Sequence, residues 1–272
     1  MKQFILKAGP DRNGRLRLEG DDYRYLVRVR RLAPGEYFPA LLPGGGTVTV
    51  RVLSVDNRAL TGEISRSDSA QSESASPALP PVILLQALPK SGKMDLIVRQ
   101  AAEGGAAEIV PFASEFSITK IGKPAADGEK LQDSQRLTRW RRIIREARQQ
   151  SGSAAATDIR QPVPMDGLFA YWEQIKTKWP GAVGLLFHHQ PLANESLHGY
   201  LDRYPDAVAI AVGPEGGFSP AEAERFIAAG FRPFTLGNSV LRTETAALFA
   251  QAAVRILLAE RDSWETKQKA KN

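Results

Sequence analysis

Two glycine-bearing stretches in the last third of the chain hold residue types that can build a small-molecule site: Gly213-Pro-Glu-Gly-Gly-Phe218 and Leu236-Gly-Asn-Ser-Val-Leu-Arg-Thr-Glu-Thr-Ala246. The first follows the apolar run Ala207–Val212 and leads into Ser219-Pro-Ala-Glu222, a capping box with proline at the first helical position. Glycines let a backbone come close to a ligand, and a helix start offers free N–H groups. A tight strand-to-helix turn without a ligand is the competing reading. In the second stretch Thr243 is placed to cap the last helix, with Arg242 just outside it. Arg242 would either clamp an anionic group or pair with Glu244 or Glu215. A third strand end carries Phe187-His188-His189. Adjacent histidines point in different directions, so a surface or turn role is expected there rather than a metal pair.

Other chemistries fail on the residues. With no cysteine, disulfides, thiolate nucleophiles, iron–sulfur clusters and cysteine-ligated zinc are excluded, and three bunched histidines make no metal cage. Leu88-Pro-Lys-Ser-Gly-Lys-Met94 lacks the first glycine of a phosphate loop and has methionine where a hydroxyl must reach magnesium. Gly213–Gly217 has the wrong glycine spacing for a dinucleotide fingerprint, and no Gly-x-Ser-x-Gly elbow exists. The apolar start of MKQFILKAGP is too short for a signal peptide, and no run approaches a membrane span. A soluble, cytoplasmic protein is expected.

The elements that must position these loops fall into two parts. Residues 1–65 of the 272 read as a compact, mostly β domain. Phe4–Leu6 opens it, Thr47–Leu53 alternates polar and apolar at the strand period, and Leu60–Ile64 would close a small barrel. Between them a helix would start at Asp21, with Leu26 and Val27 inward. The serine-rich stretch that follows lacks apolar periodicity and reads as a linker over residues 66–79. From residue 80 short apolar runs alternate with helical patterns. Strands are expected at Val82–Ala87, Glu108–Phe112, Gly184–Phe187, Ala207–Val212 and Phe234–Leu236, and helices at Met94–Glu103, Gln135–Gln150, 220–229 and 243–260. Such alternation implies an α/β fold, a parallel sheet covered on both faces, with ligands at the C-terminal strand ends.

The net charge of +6 leans towards a polyanionic partner. Arginines crowd residues 24–31, including Arg28 and Arg31, and residues 136–148. In the second group Trp140, Ile143, Ile144 and Ala147 form a helical core stripe that leaves Arg141, Arg145 and Arg148 on a neighbouring face. A planar guanidinium matches phosphate geometry, although an ordinary solvated face has the same pattern.

The two glycine motifs, in this order and spacing, resemble the ribosomal small-subunit RNA methyltransferase E (RsmE) family of the SPOUT superfamily of knotted methyltransferases. Supporting matches are Arg28-Val-x-Arg-Leu-x-Pro-Gly35, Ala102-Glu-x-Gly105, Ile109-Val-Pro111, and Trp140 through Glu146-Ala147 to Gln150-Ser-Gly152. The resemblance implies a PUA-like β-barrel that holds RNA, followed by an α/β domain (residues 80–272) threaded through a trefoil knot. It further implies a homodimer that uses S-adenosylmethionine to methylate N3 of one uridine in 16S ribosomal RNA. By position, the cofactor would lie among Leu186, Phe187, His188, Gly213, Pro214, Glu215, Gly216, Gly217, Leu236, Gly237, Val240, Leu241 and Arg242. Arg242 ranks first for the chemistry, stabilising negative charge on a uracil oxygen or on the cofactor carboxylate. Glu215 would be a base, or would be pinned by backbone amides. Arg28, Arg31, Arg141, Arg145 and Arg148 would contact phosphates. No metal and no membrane are implied.

The departures from the family pattern fall on the presumed RNA side. Gln100 stands where relatives carry lysine, Phe116 and Ser153 stand near expected arginines, and Tyr23 and Tyr25 replace a histidine pair. They keep two alternatives in play: a non-catalytic RNA-binding or ribosome-assembly factor on the same fold, and a methyltransferase for another RNA position.

Overall fold

The computed structural model describes residues 4–43, 46–65, 79–90, 92–117, 127–153, 155–188, 195–235, 237 and 239–269. Residues 66–78, most of the expected serine-rich linker, lie outside that set. The chain divides into two compact units, Met1–Pro77 with Arg148–Ala156, and Ala78–Ala147 with Thr157–Asn272.

The first unit is a five-stranded sheet in the order β1-β3-β4-β5-β2, formed by β1 (Phe4–Ile5), β2 (Arg15–Glu19), β3 (Tyr37–Leu41), β4 (Thr47–Val55) and β5 (Ala59–Ser65). Period-two alternation sets its inner face: Leu16 and Leu18 are buried while Arg15, Arg17 and Glu19 face out. These residues join Phe4, Phe38, Val50 and Leu60 in one apolar cluster. The expected helix begins one residue early, as α1 (Gly20–Tyr23), and widens into a π-helical segment over Arg24–Val29. Gly20, with φ +62°, makes the sharp entry that a side chain would strain. Leu26 is buried and Val27 half-buried, while Arg28 and Arg31 stay exposed.

The second unit is a parallel sheet in the order β12-β10-β11-β6-β7-β8, with a further short strand, β9 (Val163–Pro164), pairing with β7. Its strands are β6 (Val82–Ala87), β7 (Glu108–Ala113), β8 (Asp158–Ile159), β10 (Val183–Phe187), β11 (Val208–Val212) and β12 (Phe231–Phe234). Alternate residues of each strand feed opposite cores. Val82, Leu84, Val208 and Ile210 pack with α2 (Lys93–Glu103), α3 (Asp127–Ser151) and α7 (Thr243–Lys269). Ile83, Leu85, Ala209 and Ala211 pack with α4 (Met165–Lys178) and α6 (Pro220–Ala228). A sheet covered on both faces explains why β11, and β6 apart from Gln86, are apolar runs rather than alternating ones. One helix, α5 (Leu197–Tyr200), is short. Among the described residues no helix is long and apolar enough to cross a membrane.

Two expectations are corrected. The strand placed at Phe234–Leu236 runs instead over Phe231–Phe234, in register with Gly184–Phe187 of β10. Pro233 argues against a strand interior in sequence, but β12 is an edge strand, where a missing N–H is tolerated. Arg148, placed on the exposed arginine face, is 5% exposed. On the helix it sits at the edge of the apolar stripe, between Arg141 and Ile144, and tertiary packing rather than periodicity decides which side of that edge is covered. Its Nε and Nη2 find no partner among the described residues. Arg141 and Arg145 remain exposed.

Gly184 in β10 has no room for a side chain: a Cβ there would lie 2.9 Å from Phe231 Cδ1 and 3.0 Å from Trp172 Cζ2. Gly184→Ala is therefore expected to destabilise the fold by about 1–3 kcal/mol in urea unfolding, the usual cost of overpacking. An unchanged midpoint would contradict this packing.

Candidate functional site

The C-terminal ends of β10, β11 and β12 open onto a cleft of about 250 Å³. It is lined by Phe187 and His188 after β10, by Val212 and Gly213–Phe218 after β11, and by Thr235 after β12. Ser239, Val240 and Leu241, with Thr243 and Ala246 of α7, complete the wall. Ligands of open parallel sheets sit at such strand ends.

The first loop is shaped by its glycines. Gly217 has φ +72°, and a Cβ on Gly213 would meet the Gly217 backbone at 3.1 Å, so the loop folds back on itself. It then enters α6 through the capping box: Ser219 Oγ accepts from Glu222 N at 3.3 Å, and Glu222 Oε2 accepts from Ser219 N at 3.0 Å. The second segment is tied to the first from inside. The Thr243 hydroxyl donates to the Gly213 carbonyl at 2.7 Å and accepts from Gln86 Nε2 at 3.1 Å. Gln86, fully buried at the end of β6, also donates to the Ala87 carbonyl at 2.9 Å. Thr243 was expected to cap α7; instead it is the helix's first residue and uses its hydroxyl on the neighbouring loop.

The charges at the rim are arranged around Lys93. Its ammonium lies 3.0 Å from Glu215 Oε1 and 3.5 Å from Glu244 Oε2. The Lys90 amide donates to both Glu215 oxygens, at 3.2 and 3.1 Å. Burial pushes the Glu215 carboxyl up, but the Lys90 amide and the Lys93 ammonium outweigh it and hold the group below its ordinary value. Lys93 is raised, chiefly by its hydrogen bond to Glu215. Of the two roles open to Glu215, the geometry favours the pinned, ionised carboxylate over the proton acceptor. The pairing considered for Arg242 with Glu215 or Glu244 is not made; both acids serve Lys93. Arg242 is exposed, beside the lining residue Leu241.

Of the residues named from sequence, the cleft brings together Phe187, His188, Gly213, Pro214, Glu215, Gly216, Gly217, Val240 and Leu241. His188, expected at a surface or turn, is buried. Leu186 is buried in the sheet on the α4/α6 side, and Gly237 and Arg242 are not among the lining residues. Leu236 and His189 lie outside the described residues. Ser239 lies within the expected loop Leu236–Arg242, while Val212, Phe218, Thr235 and Ala246 also line the cleft without having been singled out as cofactor contacts. Sequence reasoning missed Lys93, which sits in the stretch set aside as a failed phosphate loop.

A model of the RNA methyltransferase domain family matches residues 76–255. The chain is 32% identical over 237 residues to the ribosomal RNA small subunit methyltransferase E of Synechocystis, covering 86% of this chain and 70% of that protein. It is 29% identical to its counterpart in Mycobacterium bovis, covering 96% and 93%. Among solved structures it is similar to a ribosomal RNA small subunit methyltransferase E from Neisseria gonorrhoeae bound to S-adenosyl methionine, at 25% identity and TM-score 0.73, covering 94% of this chain and 98% of that one. A probable rRNA-methyltransferase from Porphyromonas gingivalis is similar at 26% identity and TM-score 0.72, covering 95% and 99%.

Because the Glu215 carboxyl is depressed in the fold, its contribution to stability is complete above the ordinary glutamate value of about 4.3 and is lost as pH falls through the lower folded value. Lys93→Met should flatten the acid limb of the stability–pH curve, followed as urea midpoints between about pH 7 and pH 3. Superimposable curves for the two proteins would show that Lys93 does not hold this carboxylate.

Proposed function

This chain belongs to the RNA methyltransferase family that includes the ribosomal RNA small subunit methyltransferases E, and on that premise we propose that it methylates small-subunit ribosomal RNA with S-adenosylmethionine as donor. The observation that carries the reading is the cleft between Gly213–Gly217 and Ser239–Leu241, in a chain similar over 94% of its length to a relative bound to that donor. The residues fit such a group. Phe187, Val212, Val240 and Leu241 offer apolar walls for a flat heterocycle, and the glycine loop offers backbone polar groups at close approach. When bound, the donor would supply a methyl group already activated on a sulfonium. The chain's own task is then to position the nucleophile in line and to balance charge.

Our reading of the target is N3 of a uridine. Its imide proton must leave as the nitrogen attacks, and the resulting charge spreads onto the uracil oxygens. Arg242, exposed beside Leu241 with Glu215 and Glu244 both held by Lys93, is the group we assign to stabilise that charge. Glu215 is assigned to hold Lys93 and the loop rather than to take the proton.

We assign residues 1–65 to a PUA-like, RNA-holding domain and residues 80–272 to the methyltransferase domain, whose last strands and helix form the trefoil knot. The five-stranded sheet with β1 and β2 at its edges, and a cleft made from three separate strand ends, support this reading. Exposed Arg28, Arg31, Arg141 and Arg145 would meet phosphates. Leu248, Phe249 and Ile256 form an exposed apolar stripe on α7, away from the buried Ala246, Ala250 and Val254, and support a homodimer. A ribosomal substrate implies a cytoplasmic site of action.

Incubation with S-adenosylmethionine and small subunits lacking the modification should yield 3-methyluridine by mass spectrometry of digested RNA. Donor binding without transfer would favour the assembly-factor reading, and another methylated nucleoside would move the target. Arg242→Ala should lower transfer by about 10²-fold, the scale of losing one donor to a developing oxyanion, with unfolding unchanged. Activity equal to wild type would remove Arg242 from the chemistry. RNA affinity should fall with salt, and Arg141→Ala and Arg145→Ala should each reduce the salt slope by about 1. A slope that neither substitution alters would remove the arginine face from RNA contact.

A further inference from the structure

After β7 the chain makes a turn over Ser114–Ser117 that is fixed from below. Ser117 N donates to the Ser114 carbonyl at 3.0 Å, and Ser114 N donates to Ser117 Oγ at 3.2 Å. The amide of Glu115 donates to Glu222 Oε1 at 2.8 Å, the same buried carboxylate that closes the capping box of α6. Ser114 and Ser117 are both buried, yet Phe116 between them is 44% exposed. Its base packs against Gly216: a Cβ added to Gly216 would lie 3.0 Å from Phe116 Cβ and 3.3 Å from its Cγ. A large aromatic ring is thus presented to solvent on a clamped turn, against a glycine that itself lines the cleft.

An exposed ring adds nothing to the core, but it is a flat surface of fixed height beside the place where a base must enter. Methylation at N3 takes place on the Watson–Crick edge, so the base must be unpaired and its plane must be fixed relative to the donor. Stacking on a rigid ring fixes a plane without using any of the base's hydrogen-bonding edge. We propose that Phe116 is the stacking shelf for the incoming nucleobase, a positioning contact resting on the reading of the cleft as a methyltransferase site. Because the ring is uncharged, its contribution is independent of salt, unlike that of the arginines.

The test uses the full-length protein, S-adenosylmethionine and unmodified small subunits. Phe116→Ala and Phe116→Leu should each lower kcat/KM for RNA about 10-fold, because leucine restores apolar volume but no π face. Phe116→Trp should retain activity. Donor affinity by calorimetry, the unfolding midpoint and the salt slope of RNA binding should stay at wild-type values in all three. Leucine as active as phenylalanine would overturn the shelf, since packing alone would then suffice, and so would loss of donor binding in step with loss of transfer. A wild-type protein that binds the donor but methylates no RNA would overturn the underlying reading, and the shelf with it; an active wild type with an equally active Phe116→Ala would overturn the shelf alone.

Discussion

The cleft depends on one buried polar contact. The Gly213 carbonyl, at the point where β11 gives way to the glycine loop, accepts the Thr243 hydroxyl, which in turn accepts from Gln86. These three residues come from the end of β6, the end of β11 and the start of α7. Gln86 and Thr243 are buried, so a lost partner leaves a desolvated polar group at a cost of about 1–3 kcal/mol. That penalty holds together segments up to 157 positions apart in the chain. The contact adds to the strand pairing and core packing that bring the two glycine-bearing stretches together, and fixes the start of α7 on the loop after β11.

Charge at the rim follows the same economy of partners. Lys93 takes both Glu215 and Glu244, and the Lys90 amide takes what remains of Glu215. A carboxylate held this way stays ionised and is a poor proton acceptor. The same arrangement engages both acids considered as partners of Arg242.

Glu222 carries a similar double duty on the other side of the loop. One carboxylate oxygen closes the helix cap and the other fixes the turn that bears Phe116. A helix-capping residue visible in sequence thus also sets the rim of the cleft, linking the stability of α6 to the geometry of a surface aromatic. The departure at Phe116 is presented to solvent beside Gly216, whereas Arg148, expected to contact phosphates, is buried.

Much of this was legible in the residues themselves. The apolar runs of β6, β7, β10 and β11, the period of α2 and the capping box of α6 are local patterns, and each stands within a few residues of where it was read; α3 and α7 were found at the expected places but extend beyond them, α3 back to Asp127 and α7 on to Lys269. The loops after β11 and β12 were recognisable because glycine density and strand ends are local too. Three things were not local. Pairing with β10 moved β12 to Phe231–Phe234, packing at the edge of a helical stripe buried Arg148, and hydrogen bonds between distant strand ends turned Thr243 from a cap into a brace. Lys93 was invisible as a site residue because its meaning lies in two acids more than 120 positions away, Glu215 and Glu244. The order of polar and apolar side chains decided the elements and the loops, since burial periodicity is written along the chain; which charges meet at the cleft was decided only by tertiary structure, because ion pairs and buried hydrogen bonds depend on distances that sequence spacing does not encode.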